Sequence, residues 1–250
     1  MEICFLGVGE ACDPNHSNTS ILVNTAGNDR ILLDCGFTVP HNYFSLCEDP
    51  DELDILWISH FHGDHFFGIP LLLLRFWEMG REKPLVICGQ SGIKEKVAQV
   101  MELAYPGFLR KLQFTLDFSE IEPGSLLKRE NVLWQTAENV HSQRCLSVRI
   151  EDGCHSLFYS GDGKPTEKTL TLATGCNMII HESFWSDKTA SGHGNVKICL
   201  EFAVKAKADN LALVHLSRNV RKDHKESILK ALQDAPFNAL LPEEGDIFNL

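Results

Sequence analysis

Short apolar runs of strand type dominate the first half of the chain, and helical patterns become more frequent towards its end. Apolar runs bounded by turn-forming residues indicate strands, whereas apolar residues spaced three and four apart indicate helices. Strands are predicted at 3–8, 20–25, 30–35, 55–59, 85–88, 112–118, 132–140, 146–151, 156–159, 178–181, 211–215 and 246–248. Helices are predicted at 69–79, 93–103, 166–174, 196–207 and 222–232.

This order of elements predicts an α/β fold in which two sheets pack face to face with helices on the outside, an αββα sandwich. Strands occur in succession at first, with helices inserted between them later. No repeat, low-complexity tract or Pro/Gly-rich linker divides the 250 residues. We therefore expect one domain spanning 1–250.

The densest chemistry in the chain follows the predicted strand at 55–59. There His60, His62, Asp64 and His65 bring three imidazoles and a carboxylate into one turn. These groups cannot all face an apolar core without leaving buried polar atoms unpaired. Imidazole and carboxylate are common ligands of zinc and similar metals. The cluster therefore predicts a metal site in a loop at the end of a strand.

Three further candidate ligands, His141, Asp162 and His215, each end a predicted strand. Taken one at a time, each is equally well explained as a capping or turn residue. Because all three share the position of the first cluster, at strand ends, we expect them to lie beside it.

Composition and charge narrow the classes of protein. The hydrophobic content of 44% and charged content of 23% are ordinary for a globular domain. A formal net charge of −11 argues against a broad nucleic-acid-binding surface. No run of apolar residues is long enough for a membrane span, and no secretory signal is expected. The nine cysteines are scattered and odd in number, which argues against a disulfide framework and favours the cytoplasm.

The chain resembles the metallo-β-lactamase superfamily, and within it the ribonuclease Z (tRNase Z) branch. The resemblance covers nearly the whole length. The motif of three histidines and an aspartate is specific to the superfamily, and the His181-Glu182 and Gly192-His193 pair indicates the phosphodiesterase branch. The motifs, in chain order, are Leu6-Gly7-Val8-Gly9, Asn18-Thr19-Ser20, Leu33-Asp34-Cys35-Gly36, His60 to His65 with Phe67-Gly68-Ile69-Pro70, Tyr159-Ser160-Gly161-Asp162, Ile180-His181-Glu182-Ser183, Gly192-His193 and His215-Leu216-Ser217-Arg218.

The resemblance implies a site with two divalent metal ions, usually zinc, with manganese or iron as alternatives. Water that bridges two such cations loses its proton near neutral pH and becomes a hydroxide nucleophile. Asp64 would orient this nucleophile as well as bind metal. By resemblance, one ion is held by His60, His62 and His141, the other by Asp64, His65 and His215, and Asp162 bridges them.

A departing alkoxide needs a proton, and the resemblance implies that His193, hydrogen-bonded to Glu182, supplies it. Taken alone, His193 could also be a polar loop residue between two glycines. The chain departs from the family in two places. The usual Gly-His-Ser-Thr is Gly-His-Gly-Asn at 192–195, and the usual His-Glu-Ala-Thr is His-Glu-Ser-Phe at 181–184. Both keep the proton-donating pair and alter its neighbours.

Arg218, the adjoining Arg221 and Lys222, and Lys164 are candidates for binding a substrate phosphate. The arginines at the start of a helix could equally be solvated. The apolar segment 69–77 is too apolar for a helix with one wet face. Core burial would explain it, but a homodimer surface is the better interpretation, and members of this branch often dimerise.

The substrate prediction depends on a missing segment. Ribonuclease Z enzymes that trim tRNA carry a basic, Gly- and Pro-rich arm before the bridging aspartate. Here Asp162 follows His141 by only 21 residues, and no long basic insertion occurs elsewhere. Affinity for a folded RNA depends on neutralising many phosphates. We therefore expect a metal-dependent hydrolase acting on a small phosphodiester, such as a cyclic nucleotide or a short oligonucleotide.

Three alternatives remain. Relatives that lack the arm and cleave cyclic mononucleotides, including phage anti-signalling enzymes, share this layout. Because the missing arm disfavours binding of tRNA, processing of tRNA 3′ ends is the second candidate. A thioester or lactam hydrolase would use the metals but leave Glu182 and His193 without a task. A non-enzymatic, metal-stabilised binding module would not need a proton donor.

Overall fold

The computed structural model describes residues 1–129, 131–188 and 191–250. In these residues two seven-stranded sheets pack face to face, each with an antiparallel and a parallel half. In spatial order, the first sheet contains β14 (Ile247–Asn249), β1 (Glu2–Gly7), β2 (Ser20–Asn24), β3 (Arg30–Leu33), β4 (Ile55–Ile58), β5 (Leu85–Gly89) and β6 (Leu116–Glu120). The second contains β13 (Asn238–Leu240), β12 (Asn210–Val214), β11 (Met178–Glu182), β10 (Ser156–Tyr159), β9 (Leu146–Glu151), β8 (Val132–Glu138) and β7 (Leu127–Arg129).

Helices cover the outer faces of both sheets. Near the first sheet lie α1 (Val39–Leu46), α2 (Gly63–Phe66), α3 (Ile69–Glu78), α4 (Ile93–Ala104) and a 3₁₀ turn at Phe108–Lys111. Near the second lie α5 (Glu167–Ala173), α6 (Val196–Ala206), α7 (Arg218–Asp223) and α8 (Lys225–Gln233). None of the helices in the described ranges is long and apolar enough to cross a bilayer.

Three apolar layers follow from this arrangement. The middle layer lies between the sheets and contains Trp57 and Trp134, whose ring centroids are 6.2 Å apart. Two outer layers lie between each sheet and its helices. Parallel strands in this fold are buried on both faces, and therefore they appear in the sequence as continuous apolar runs, such as Ile55–Ile58. The αββα sandwich expected from the sequence is confirmed.

Several local predictions were wrong. The single helix predicted at 222–232 is two helices, with the break at His224. The buried side chain of Arg221 explains this break, because its hydrogen bond to the Pro242 carbonyl and its ion pair with Glu243 fix α7 against the C-terminal loop. The strand predicted at 112–118 begins only at Leu116, because Phe114 packs into the outer layer. The short elements α1, α2, β7 and β13 were not predicted from the sequence.

Core burial accounts for much of the apolar segment 69–77. Within α3, Ile69, Leu72, Leu73 and Phe76 are buried in the outer layer, whereas Arg75 is exposed. The expectation that this helix has no wet face was therefore wrong. The remaining apolar side chains, Leu71, Leu74 and Trp77, are only partly buried.

Candidate metal centre

All seven side chains proposed as ligands meet at one edge of the two sheets. His60, Asp162 and His215 follow the carboxyl ends of β4, β10 and β12, and His141 follows β8. The strands end at the same edge, so residues far apart in sequence become neighbours. His62, Asp64 and His65 are presented by the loop into α2 and by α2 itself.

Three histidines form one half of the cluster. The Nδ1 atom of His62 lies 3.0 Å from Nε2 of His60 and 3.1 Å from Nε2 of His141. Asp162 completes this group, with its Oδ2 atom 3.9 Å from Nε2 of His141. Such a set of imidazole nitrogens with one carboxylate matches the donor preference of zinc.

The other half of the cluster contains two carboxylates, those of Asp64 and Asp162. The Oδ2 atom of Asp64 lies 3.2 Å from Nε2 of His215 and 3.4 Å from Nε2 of His65. The Oδ1 atom of Asp162 lies 3.3 Å from Nε2 of His65 and 3.5 Å from Nε2 of His215. Asp162 thus faces both halves, one carboxylate oxygen towards each, which is the position required of a bridging ligand.

Asp34, to which the sequence analysis gave no role, lies behind both halves. Its Oδ2 atom accepts hydrogen bonds from Nδ1 of His65 at 2.8 Å, from Oγ of Ser59 at 2.7 Å and from the Tyr159 hydroxyl at 2.7 Å. Since Ser59 donates its only proton to Asp34, its Oγ accepts from Nδ1 of His60, 3.0 Å away. The signal in the sequence was a lone carboxylate closing the apolar run at 31–33.

For His60, His65 and His141, these hydrogen bonds leave Nε2 as the nitrogen that is free to bind a metal. Nδ1 of His141 donates to the Gly192 carbonyl at 2.8 Å, as Nδ1 of His65 does to Asp34. With the proton held on Nδ1, Nε2 presents its lone pair to the cluster. Nε2 of His65 and Oδ1 of Asp162 are buried and have no hydrogen-bond partner among the described residues. A cation between them would satisfy both atoms, so the residues present fit a metal centre.

The two halves of the cluster differ in the direction in which the pKa values of their histidines are shifted. Burial, together with the charge of neighbouring histidines, lowers the pKa of His60 and of His62. Burial also lowers the pKa of His215, but the charge of Asp162 and the hydrogen bond to Asp64 oppose it and raise the pKa to about 9. Burial would raise the pKa of Asp64, yet its hydrogen bonds to His215 and His65 bring that pKa well below its ordinary value. The second half therefore attracts positive charge.

A third group lies beside the cluster. Nδ1 of His193 is 3.2 Å from Oε1 of Glu182, and these two residues with His215 form a further convergent set. The buried carboxylate of Glu182 accepts backbone hydrogen bonds from Gly163, Gly194 and Phe184, each at 2.9 Å. Gly163 has a φ of +114°, which only glycine adopts without strain, so this residue type allows one of the three bonds.

Glu182 sets the protonation of its neighbour. Burial lowers the pKa of His193, but the hydrogen bond and the charge of Glu182 raise it by more, and the pKa lies above its ordinary value. Glu182 also fixes the tautomer, since Nδ1 is its partner. Nε2 of His193 has no hydrogen-bond partner among the described residues and can donate a proton elsewhere.

The candidate phosphate-binding residues lie outside this cluster. The guanidinium of Arg218 is about half exposed and forms an ion pair with the buried carboxylate of Glu10. Arg221 is buried and paired with Glu243, so it does not offer a free cation to a substrate. The side chain of Lys164 has no ion pair in the described ranges, and its backbone bridges to Val140 beside His141.

Comparison with models of known protein families shows to which family this chain belongs. The model of the family described as "Anti-Pycsar protein Apyc1" matches residues 1–233. The chain belongs to this Apyc1 family.

Relatives of known structure and sequence agree with this family. The chain is similar to ribonuclease Z of Methanothermobacter thermautotrophicus, with 28% identity over 92% of this chain and 91% of that protein. In fold it is similar to the metallo-β-lactamase fold protein YhfI of Bacillus subtilis, with a TM-score of 0.81, 22% identity and coverage of 99% of both chains. It is also similar to the short form of human tRNase Z, with a TM-score of 0.80, 20% identity and coverage of 100% and 99%.

These comparisons confirm two of the sequence-based expectations. This Apyc1-family chain is a member of the metallo-β-lactamase superfamily, in its ribonuclease Z-like branch. It is also a metal-dependent hydrolase that uses divalent metal.

Proposed function

We propose that this Apyc1-family protein is a phosphodiesterase with two metal ions that hydrolyses a small phosphodiester, such as a cyclic nucleotide or a short oligonucleotide. The observation that carries the proposal is the pair of Glu182 and His193, which lies beside the ligand cluster. The side-chain oxygen and nitrogen atoms of this pair converge with a ring nitrogen of His215. A phosphodiester leaves an alkoxide, which needs a proton at this position. Hydrolysis of a thioester releases a thiolate, which departs without a proton, so that reaction would leave the pair without a task.

Two ions are proposed because Asp162 turns one carboxylate oxygen towards each of two ligand sets. Zinc suits the imidazole-rich donor set best, and manganese and iron are the alternatives. Once bound, the ions would supply an activated water nucleophile and neutralise charge on the phosphate oxygens.

The protein's own side chains would do the remaining work. Asp64 is buried between His65 and His215, accepts a hydrogen bond from Nε2 of His215, and can orient the attacking water. His193 would donate the proton on Nε2 to the leaving oxygen, while Glu182 stabilises the imidazolium before transfer. Removal of water from the buried cluster strengthens each of these interactions.

A small substrate is supported by what surrounds the site. Between His141 and Asp162 the chain forms only β9, β10 and a turn, with no arm that could clamp a large RNA. Most arginines are already neutralised by neighbouring carboxylates, among them Arg144 by Glu122 and Arg218 by Glu10. A polyanion gains most of its affinity from many cations placed along its path. The formal net charge of −11 disfavours such binding, which supports a ligand with one or two phosphates. The family description names an anti-Pycsar protein and not a tRNA nuclease.

Processing of tRNA 3′ ends is the second candidate. The names of the sequence relatives, ribonuclease Z and ribonuclease BN, favour it. It requires that the tRNA body be held without the arm, by Lys164, Arg218 or a second copy of the chain.

One experiment distinguishes the two substrates. Purified protein is assayed in parallel, at equal metal, with a panel of cyclic mononucleotides and with precursor tRNA. The proposal predicts efficient hydrolysis of at least one cyclic nucleotide and slow, inaccurate cleavage of the tRNA. Efficient and accurate trimming of the tRNA 3′ end, with no turnover of the cyclic nucleotides, would overturn it.

The role of His193 is tested separately. His193→Ala should slow hydrolysis of a diester with a poor leaving group by about 10²-fold or more, because the variant loses the proposed proton donor. The same variant should keep its metal content. Loss of metal in proportion to activity would show that His193 is a ligand and not a proton donor.

We also propose that the protein forms a homodimer through a groove of about 650 Å³ beside the site. Its rim carries two exposed apolar side chains, Phe67 at 56% and Leu103 at 85% exposure. Large exposed apolar patches mark association surfaces. Leu103→Glu should convert a dimer into a monomer in analytical ultracentrifugation, whereas a monomeric parent protein would contradict the proposal. The groove is lined by Phe61, Pro70, Leu71, Val100, Leu103 and Tyr105, among others.

A reducing compartment, the cytoplasm, suits the cysteines. Each of the nine lies within the described residues, and none of them forms a disulfide. Seven are buried, and burial keeps such thiols protonated and unreactive.

A further inference from the structure

Phe184 stands where the ribonuclease Z branch usually carries threonine, and its ring lies against the proposed proton donor. The ring centroids of Phe184 and His193 are 4.7 Å apart, and the planes are inclined by 30°. The ring of Phe184 is also 6.1 Å from that of His215. An aromatic face at this distance restricts the rotation of a neighbouring ring.

The apolar layers of the fold do not account for Phe184. It is only partly buried and belongs to none of the three layers, whereas the adjacent Trp185 packs against the layer outside the second sheet. Among the described residues, its aromatic contacts are Trp185 and the two site histidines.

The backbone of Phe184 is fixed on both sides by the site. Its N–H donates to Oε2 of Glu182 at 2.9 Å, and its carbonyl accepts from the N–H of Ser217 at 3.0 Å. The same carboxylate, through Oε1, holds Nδ1 of His193. Phe184 and His193 are therefore both hydrogen-bonded to the same buried carboxylate. This shared partner sets the position of one ring relative to the other.

His193 needs this support because its other contacts leave a degree of freedom. One hydrogen bond at Nδ1 fixes the tautomer but permits the ring to turn about that bond. The ring of His141 meets His193 edge-on, at 5.0 Å and 79°, and the ring of His215 is nearly parallel to it, at 6.2 Å and 11°. Phe184 makes the closest of these three ring contacts, at 4.7 Å. Together the contacts define the ring plane, and with it the direction of the Nε2–H bond.

We propose that Phe184 is a positioning residue that fixes the imidazole plane of His193, so that Nε2–H points at the leaving oxygen. The inference rests on the proposed phosphodiesterase function. Proton transfer depends steeply on alignment, and a displacement of about 1 Å can cost roughly 10²-fold in rate. A smaller side chain at 184 should therefore impair only those reactions in which the leaving group needs a proton.

The test compares Phe184→Leu with Phe184→Tyr, which keeps the ring. The substrates are two aryl phosphodiesters, one with a p-nitrophenolate leaving group, which departs without a proton, and one with an unsubstituted phenolate. We expect Phe184→Leu to lose about tenfold in kcat with the phenyl ester and less than about twofold with the p-nitrophenyl ester, at unchanged KM and metal content. Phe184→Tyr should restore kcat. Phe237→Leu, which shortens a partly buried phenylalanine with no described histidine contact, serves as the control.

A second readout does not depend on turnover. In protein carrying ¹⁵N- and ¹³C-labelled histidine, the ring proton resonances of His193, assigned with His193→Ala, should move in Phe184→Leu and return in Phe184→Tyr, since the aromatic ring current shields them. Unchanged His193 resonances in Phe184→Leu would overturn the inference, and so would an equal loss with both esters. A rise in KM alone would show that Phe184 binds substrate instead. If no diester is hydrolysed while the resonances shift as expected, the proposed function fails and the positioning contact stands.

Discussion

His60, His62 and His141 lie on one side of Asp162, and Asp64, His65 and His215 lie on the other. In the first set, burial and neighbouring histidines lower the pKa of His60 and His62, so these imidazoles are neutral near pH 7. In the second set, burial alone would lower the pKa of His215, but Asp162 and Asp64 raise it to about 9. A metal that binds His60 and His62 would displace no proton from them, whereas one that binds His215 would displace a proton.

The proposed two-ion centre, built around one bridging carboxylate, would therefore not bind its two ions equally. The histidine-rich half is prepared for a cation by its hydrogen bonds. The carboxylate-rich half is already partly neutralised by protons on its own histidines. We expect ordered loading, with the histidine-rich half filled first below the pKa of His215.

The largest effect is expected when the bridge is removed. Asp162→Asn takes away the one charge that both halves share, so the second ion should be lost. Cleavage of bis(p-nitrophenyl) phosphate should then fall by about 10³-fold, since metal charge stabilisation contributes several kcal/mol. Metal analysis of the variant measures the loss of the second ion. A thermal melt of the same sample shows whether the variant is still folded. A folded variant that still binds two ions would show that Asp162 does not bridge.

A smaller effect should follow from the carboxylate behind the site. Asp34→Asn replaces an acceptor of four hydrogen bonds with a group that also donates, and the orientation of His65 and, through Ser59, of His60 is lost. Metal affinity should fall about 10- to 100-fold, as for other partners of ligating histidines.

Tyr159→Phe is the matched control for Asp34, because it removes one donor and leaves the carboxylate in place. Competition with a chromophoric chelator measures both variants. If Asp34→Asn binds metal as tightly as the parent protein, the orientation of the histidines does not depend on this residue.

A third effect, a difference in pH dependence, is the most specific to the comparison. His215→Ala leaves the histidine-rich half intact, and His60→Ala leaves the carboxylate-rich half. Between pH 6.5 and 8.5, metal affinity of His60→Ala should rise about tenfold per pH unit for each proton displaced, because the pKa of His215 lies above this range. Affinity of His215→Ala should change little, since the pKa of His62 is already low. Equal slopes in the two variants would remove the distinction between the halves.

The sequence predicted much of this molecule, for physical reasons that the structure makes visible. Short apolar runs such as 55–58 are buried on both faces, which is typical of central strands. The proposed ligands could be found because they are polar residues in the segments that follow such strands, at one sheet edge. The short edge strands β7 and β13, of three residues each, depend on tertiary pairing and carry no pattern of their own.

Other features depend on contacts that a linear pattern does not contain. The pairing of Arg218 with Glu10 joins residues 208 positions apart, so the sequence showed a free cation where the structure has an ion pair. Asp34 had no predicted role, yet it connects β3 to α2, to Ser59 after β4 and to β10 through its hydrogen bonds. The helix break at His224 follows from the burial of Arg221, which only the C-terminal loop makes favourable.

Titration of metal-free protein with zinc, with turnover of bis(p-nitrophenyl) phosphate recorded at each addition and bound metal quantified by mass spectrometry, tests the proposed two-ion centre most directly. Binding should saturate at two equivalents per chain, and most of the activity should appear with the second. Saturation at one equivalent or fewer, or full activity with a single ion, would contradict a centre in which Asp162 joins two cations.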